Sequence, residues 1–233
     1  MRNIPDTALS TPAESRRQLK SMERRRRVLA AANRCFSRNG FRKASVDMIA
    51  EDAGVSKGLV FSFFGHKDGL YDAVIEQTLT AWTGFAAHQA SRFHDQPLLE
   101  LISMFRGSFE FASHTPMLRV LMANGDREIL ERLPSLPRTV RDWQGRFADV
   151  IQRGITQGVF RADIDPHLAS LVIHDVQELY LDQMIDTENS GYDPDRTEAA
   201  LMLMVRGLIS AAGERALETQ LPASKTSRRK RVS

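Results

Sequence analysis

The residues whose types and spacing are most suggestive of chemistry run from Val46 to Phe63, in the order VDMIAEDAGVSKGLVFSF. A helix-turn-helix needs two short helices held at a steep angle. Ala50 is small enough to let the first pack closely, and Gly54 can take the positive φ that the turn demands. Ile49, Ala53, Val55, Val60 and Phe63 fall at core offsets, and Ser56 stands where it can cap the following helix. The bland alternative is an ordinary αα-hairpin, which does not require so many points to agree. Under the helix-turn-helix reading, Ser56, Lys57, Gly58, Leu59, Phe61 and Ser62 lie near the outer face of the helix expected to enter a major groove. The N-terminus of that helix offers free N–H groups to a phosphate, and Gly58 allows a backbone to come close. Phe61 has a rival reading, because Phe61, Phe63 and Phe64 are all apolar and could share a core.

The four arginines Arg24, Arg25, Arg26 and Arg27 sit at the start of a helix, where positive charge opposes the helix dipole. That misfit is easier to understand with phosphate nearby, although a solvated basic face is the plain alternative. Charge is divided along the whole chain. Residues 1–43 carry twelve Lys/Arg against Asp6, Glu14 and Glu23, whereas residues 79–224 carry thirteen Arg against twenty Asp/Glu. Five more basic residues lie between Lys225 and Arg231. Basic ends around an acidic middle suggest a polyanionic partner.

Other chemistry is poorly supported. The chain shows no nucleophile elbow, no P-loop and no dinucleotide fingerprint, so no catalytic residue and no cofactor is expected. His88, His94, His114, His167 and His174 do not share a compact ligand spacing, and no metal site is expected. Cys35 is the single cysteine, which leaves no intrachain disulfide. The N-terminal residues have no apolar stretch to act as a signal peptide, and no segment is apolar enough to span a bilayer, so a cytoplasmic protein is the expectation.

Helical periodicity in the 233-residue chain begins near Met22, and the reading is an all-α chain of about nine helices. Residues 1–20 read as a disordered basic arm. Val28, Leu29, Ala32, Cys35 and Phe36 make the inner face of a first helix ended by Asn39-Gly40. Ser45 caps a second helix, and a fourth begins near Lys67 with Leu70, Tyr71, Val74 and Ile75 inward. The expected division is a helix-turn-helix domain over 21–66, a larger helical domain over 67–220 and a basic tail over 221–233.

Residues 27–74 resemble the DNA-binding segment of the tetracycline-repressor (TetR) family of bacterial regulators. The resemblance rests on Phe36, Gly40-Phe41, Ser45-Val46, Ile49-Ala50, Ala53-Gly54-Val55-Ser56-Lys57-Gly58, Phe64, Lys67 and Leu70. Two positions depart from the family pattern: Phe61, where a tyrosine is usual, and Leu59, where a small or hydroxylated residue is common. The resemblance implies that Ser45 and Lys67 touch the phosphate backbone, while Lys57, Gly58, Leu59 and Ser62 face the groove. Leu59 could then contact a thymine methyl.

The resemblance also implies a C-terminal dimerisation and effector domain. Helices apolar over much of their surface need a partner, and an isologous four-helix interface would use Leu168, Leu171, Val172, Leu179, Leu201, Val205, Leu208 and Ala212. The alternative is that these helices are buried within one chain. Trp82, Phe85, Phe105, Phe109, Trp143 and Phe147 are candidates to line an effector pocket, with His174 and Gln177 as polar anchors. The expected function is a homodimeric regulator that binds a palindromic DNA operator as a repressor and is released by a small-molecule effector. The rival is a sequence-tolerant, architectural DNA-binding protein without an effector.

Overall fold

The computed structural model describes residues 12–123, 133, 136–185 and 192–220. Ten helices are present among them: α1 (Pro12–Lys43), α2 (Val46–Ala53), α3 (Lys57–Phe64), α4 (Lys67–Ser91), α5 (Pro97–His114), α6 (Pro116–Ala123), α7 (Leu136–Thr156), α8 (Pro166–Ile185), α9 (Pro194–Leu208) and α10 (Ala211–Gln220). The chain divides into two compact units, with the boundary after Ile75.

In the first unit α2 and α3 pack on α1. Val28, Ala32, Phe36, Ile49 and Val60 are at most 1% exposed and form its centre. Gly40 interrupts α1 with a φ of 67°, so the helix proper ends where Asn39-Gly40 predicts. The unit extends past the expected limit at residue 66. Leu70, Tyr71, Val74 and Ile75 of α4 are buried, and the Tyr71 ring meets Phe36 and Phe41 with centroids 4.8 Å apart in each case. That aromatic contact ties the start of α4 to α1.

Part of the expected disordered arm is helical. Residues 12–20 continue α1 as regular helix, with Arg16, Arg17, Gln18, Leu19 and Lys20 exposed. These are good helix formers, and Pro12 sits in the first turn, where its missing N–H costs no bond. Residues 1–11 and the basic tail lie outside the described residues.

In the second unit α7 runs along α8, and α5 packs against α7, α8, α9 and α10. Trp143, Phe105, Phe147 and Phe160 are at most 1% exposed. Leu201, Val205, Leu208 and Ala212, which fall at helical spacings, are divided between α9 and α10 by a break at Ile209-Ser210. The Ile209 segment pairs with Phe160 in an isolated antiparallel bridge. Arg161 N–H donates to the Leu208 carbonyl and Ser210 N–H to the Val159 carbonyl, both at 2.9 Å. Ser210 Oγ then accepts from the N–H groups of Ala212 and Gly213 and caps α10. A remote strand-like segment thus competes for the helix backbone at this point.

Candidate nucleic-acid interface

Two capped helix starts position the candidate DNA surface. Met48 N–H donates to Ser45 Oγ at 3.2 Å, and Leu59 N–H donates to Ser56 Oγ at 3.3 Å. Each hydroxyl oxygen is used as an acceptor, so each O–H remains available to a phosphate oxygen. Between the caps, Gly54 takes φ 61° and ψ 45°, and its N–H closes α2. A side chain there would be strained, which is why the turn needs glycine.

On α3 only Val60 is buried, which fixes the rotation of the helix. Ser56, Lys57, Gly58 and Ser62 are exposed, Leu59 is half-buried, and Phe61 is 39% exposed. Phe61 therefore points away from the core, while Phe63 and Phe64 are half-buried and meet edge-on at 6.1 Å. A Cβ built on Gly58 would meet nothing within 4 Å, so backbone can approach there. Met48 on α2 is 46% exposed, an outward apolar side chain that the helix-turn-helix pattern does not single out.

The cations on this unit are held in different ways. Lys57 Nζ pairs with Asp47 at 2.8 Å, an exposed pair that solvent and salt weaken. Lys67 Nζ stands 4.4 Å above the Phe41 ring and donates to the Arg42 carbonyl at 3.5 Å. Among the four arginines, Arg24 to Arg27 are all exposed. Arg25 stacks over Phe64 at 4.9 Å, Arg26 pairs with Glu23 at 3.0 Å, and Arg27 donates to the Gly54 carbonyl at 3.4 Å. Arg25 and Arg27 thus brace α3 and the turn as well as supplying charge. Arg34 makes two bonds to Asp52, at 3.1 and 2.9 Å, tying α1 to α2.

The remaining candidate residues lie in the second unit. Trp143 Nε1–H donates to Gln177 Oε1 at 2.9 Å, the Trp82 and Trp143 rings are 6.1 Å apart, and Phe147 meets Trp143 edge-on at 5.3 Å. Phe105 contacts Phe109, whereas Phe85 contacts Phe111. Phe105, Trp143 and Phe147 are buried, at 1%, 1% and 0% exposed. A separate cleft of about 420 Å³ is lined by Phe109, Glu110, Ala112, Ser113, Met184 and Tyr192. Of the eight expected effector residues, Phe109 alone lines that cleft.

The expected interface residues separate into two groups. Leu168, Val172 and Leu179 are 60%, 56% and 54% exposed, Leu171 is half-buried and Ala212 is exposed. Leu201, Val205 and Leu208 are 1%, 0% and 8% exposed, so these three belong to the core of a single chain. The outward face of α9 instead carries Ala199, Leu203 and Gly207, with Leu203 73% exposed. No described helix is long and apolar enough to cross a membrane.

Comparison with known proteins agrees with this geometry. Residues 28–74 match the family described as bacterial regulatory proteins, tetR family. The HTH-type transcriptional repressor KstR2 of Mycobacterium tuberculosis is 30% identical over 164 residues, covering 65% of this chain and 76% of that protein. The HTH-type transcriptional repressor AcnR of Corynebacterium diphtheriae is 26% identical over 192 residues, covering 81% and 93%. A crystal structure of a TetR-family transcriptional regulator from Pectobacterium atrosepticum superposes with a TM-score of 0.68 at 24% identity, covering 86% of this chain and 98% of that one. The architectural alternative is not favoured, and the capped helix pair with its outward α3 is the family's DNA-binding unit: this chain belongs to the TetR family and is a DNA-binding transcriptional regulator.

Proposed function

We propose that the protein is a homodimeric repressor that places one α3 from each subunit in successive major grooves of a palindromic operator and is released by a small molecule held in the second unit. The outward set on α3 carries this reading: Lys57, Gly58, Phe61 and Ser62 are exposed together with half-buried Leu59 beside them, flanked by Ser45 and Lys67. Lys57 exchanges its Asp47 partner for DNA at little cost, because the pair is exposed. Ser45 and Lys67 supply contacts that position the protein without reading sequence. Leu168, Val172 and Leu179 on α8 and Leu203 on α9 form the face that meets the second copy. The effector arm of the reading is tested by extracting the purified protein and adding the extract to the protein–operator complex. Release by a defined compound supports it, and an extract that leaves the complex intact at saturating amounts contradicts it.

Phe61→Tyr is expected to tighten DNA binding. With Phe61 turned outward, the added phenol can donate to a phosphate oxygen. A bond to a charged acceptor is worth roughly 1.5–3 kcal/mol before losses to geometry and displaced water, so a gain of about tenfold or less is expected. It should appear on operator and random DNA alike. A lower Tm with no gain in affinity would place Phe61 in the core.

The N-terminal arm is expected to act through charge alone. Removing residues 1–20 takes away Arg2, Arg16, Arg17 and Lys20. Binding to operator and random DNA should weaken by similar factors. The slope of log K against log[salt] should fall by about 0.9 for each phosphate that the arm no longer neutralises. An unchanged slope would show that the arm does not meet DNA.

A further inference from the structure

Among the described residues of the second unit, three buried side-chain nitrogens have no hydrogen-bond partner: Trp82 Nε1, Gln177 Nε2 and His174 Nδ1. They belong to one connected cluster. Trp82 packs on Trp143, Trp143 donates to Gln177, and His174 lies one turn before Gln177 on the same buried face of α8. The orientation of the amide is determined, because an indole N–H can only donate and must meet the Gln177 oxygen. Both N–H bonds of Gln177 Nε2 therefore face away from that bond, and Gln177 is 0% exposed. Buried donors without acceptors are rare in folded proteins, and a group of them in one place calls for a partner.

Resting on the effector reading above, we infer that this cluster is the effector's anchor and that the effector is an uncharged, largely apolar molecule presenting a carbonyl-type oxygen to Trp82 and Gln177. The donors themselves are neutral. The charged groups that act on His174 are the carboxylates of Glu178 and Asp175, which disfavour an anion. Among the described residues, the hydrogen bonds and ring contacts of Trp82, Trp143 and Gln177 include no arginine or lysine, and Arg153 and Arg106 of the same unit are paired with Glu100 and Glu198. Trp143 and Phe147 make the surroundings of these donors apolar and aromatic, which suits a largely apolar body. Trp82 is half-buried, so its edge of the cluster is the side from which a ligand enters.

The chain has two tryptophans, so full-length ¹⁵N-labelled protein gives two indole N–H resonances, assigned with Trp82→Phe. Three probes of similar shape are titrated: 2-acetylnaphthalene, 2-isopropenylnaphthalene and 2-naphthoate. The ketone is expected to move the Trp82 resonance downfield and to bind about tenfold or more tighter than the hydrocarbon, with the carboxylate weaker than the ketone. In Gln177→Leu the ketone-to-hydrocarbon ratio should fall toward one. If that variant does not fold, the ratio in the wild type still decides. Equal affinities for ketone and hydrocarbon, a preference for the carboxylate, or shifts confined to Met184 and Tyr192 in the separate cleft would overturn the inference. So would a Trp82 resonance that no probe moves. These outcomes leave the effector reading standing, since that reading falls only if extracted molecules fail to release DNA.

Discussion

Val172→Asp is expected to convert the dimer to monomers that remain folded, and to lower affinity for a full operator by about 10²–10⁴, the advantage that linking two half-site contacts confers. Leu168, Val172 and Leu179 are spaced four and seven residues apart and form one exposed stripe along α8. Each leaves more than half of its surface to be covered, and full burial of such a side chain is worth about 1.5–3 kcal/mol. A charge at the centre of the stripe is buried without a partner when two copies meet, which is the costly case. In the free protomer the same aspartate stands in water, where substitutions usually change stability by less than about 0.5 kcal/mol. Leu208→Asp should behave differently, because Leu208 is 8% exposed and its replacement unfolds the protomer itself. Sedimentation and thermal melts separate the two variants. A Val172→Asp protein that stays dimeric, or a monomeric wild type, would contradict this interface.

Gly154→Ala is expected to destabilise the second unit by about 3 kcal/mol, the upper end of the usual cost of overpacking. A Cβ at position 154 would lie 2.1 Å from Phe160 Cδ2 and 2.4 Å from Cε2. The ring has nowhere to retreat, being 1% exposed. Its backbone is also pinned: Phe160 N–H donates to the Gly154 carbonyl at 3.0 Å, and the Val159 and Arg161 bonds to the Ile209 segment hold either side. For a chain of this size each kcal/mol moves Tm by roughly 2–4 °C, so a fall of about 6–12 °C is expected. Phe160→Leu in the same protein should restore part of the stability, and the double-mutant cycle should show strong coupling. An unchanged Tm would mean that the α7 C-terminus yields easily.

The helix-turn-helix was legible in the sequence because its determinants are local. Ser45, Gly54 and Ser56 each act within a few residues of where they stand, and their spacing is that of two capped helices and one turn. The limits of legibility follow from long-range causes. The break at Ile209-Ser210 is made by the Val159–Arg161 segment, which no pattern within α9 or α10 reveals. Leu201, Leu203, Val205 and Leu208 are all apolar, and composition does not say that Leu203 faces outward while the other three face the core. Arg25 and Arg27 read as a plain basic run, yet they meet the Phe64 ring and the Gly54 carbonyl. The aromatic residues of the second unit were identifiable as a set. That Trp82 and Gln177 end up with unpaired donors depends on three helices meeting, and no single segment carries that information.

A hydroxyl-radical footprint on the DNA beside the protein's own gene tests the central claim most directly. Two copies of α3 in successive major grooves should protect two short blocks related by an inverted repeat, with centres one helical turn or a multiple of it apart. In Lys57→Ala both blocks should weaken together. Diffuse protection without repeat symmetry, or one unpaired block, would contradict the account.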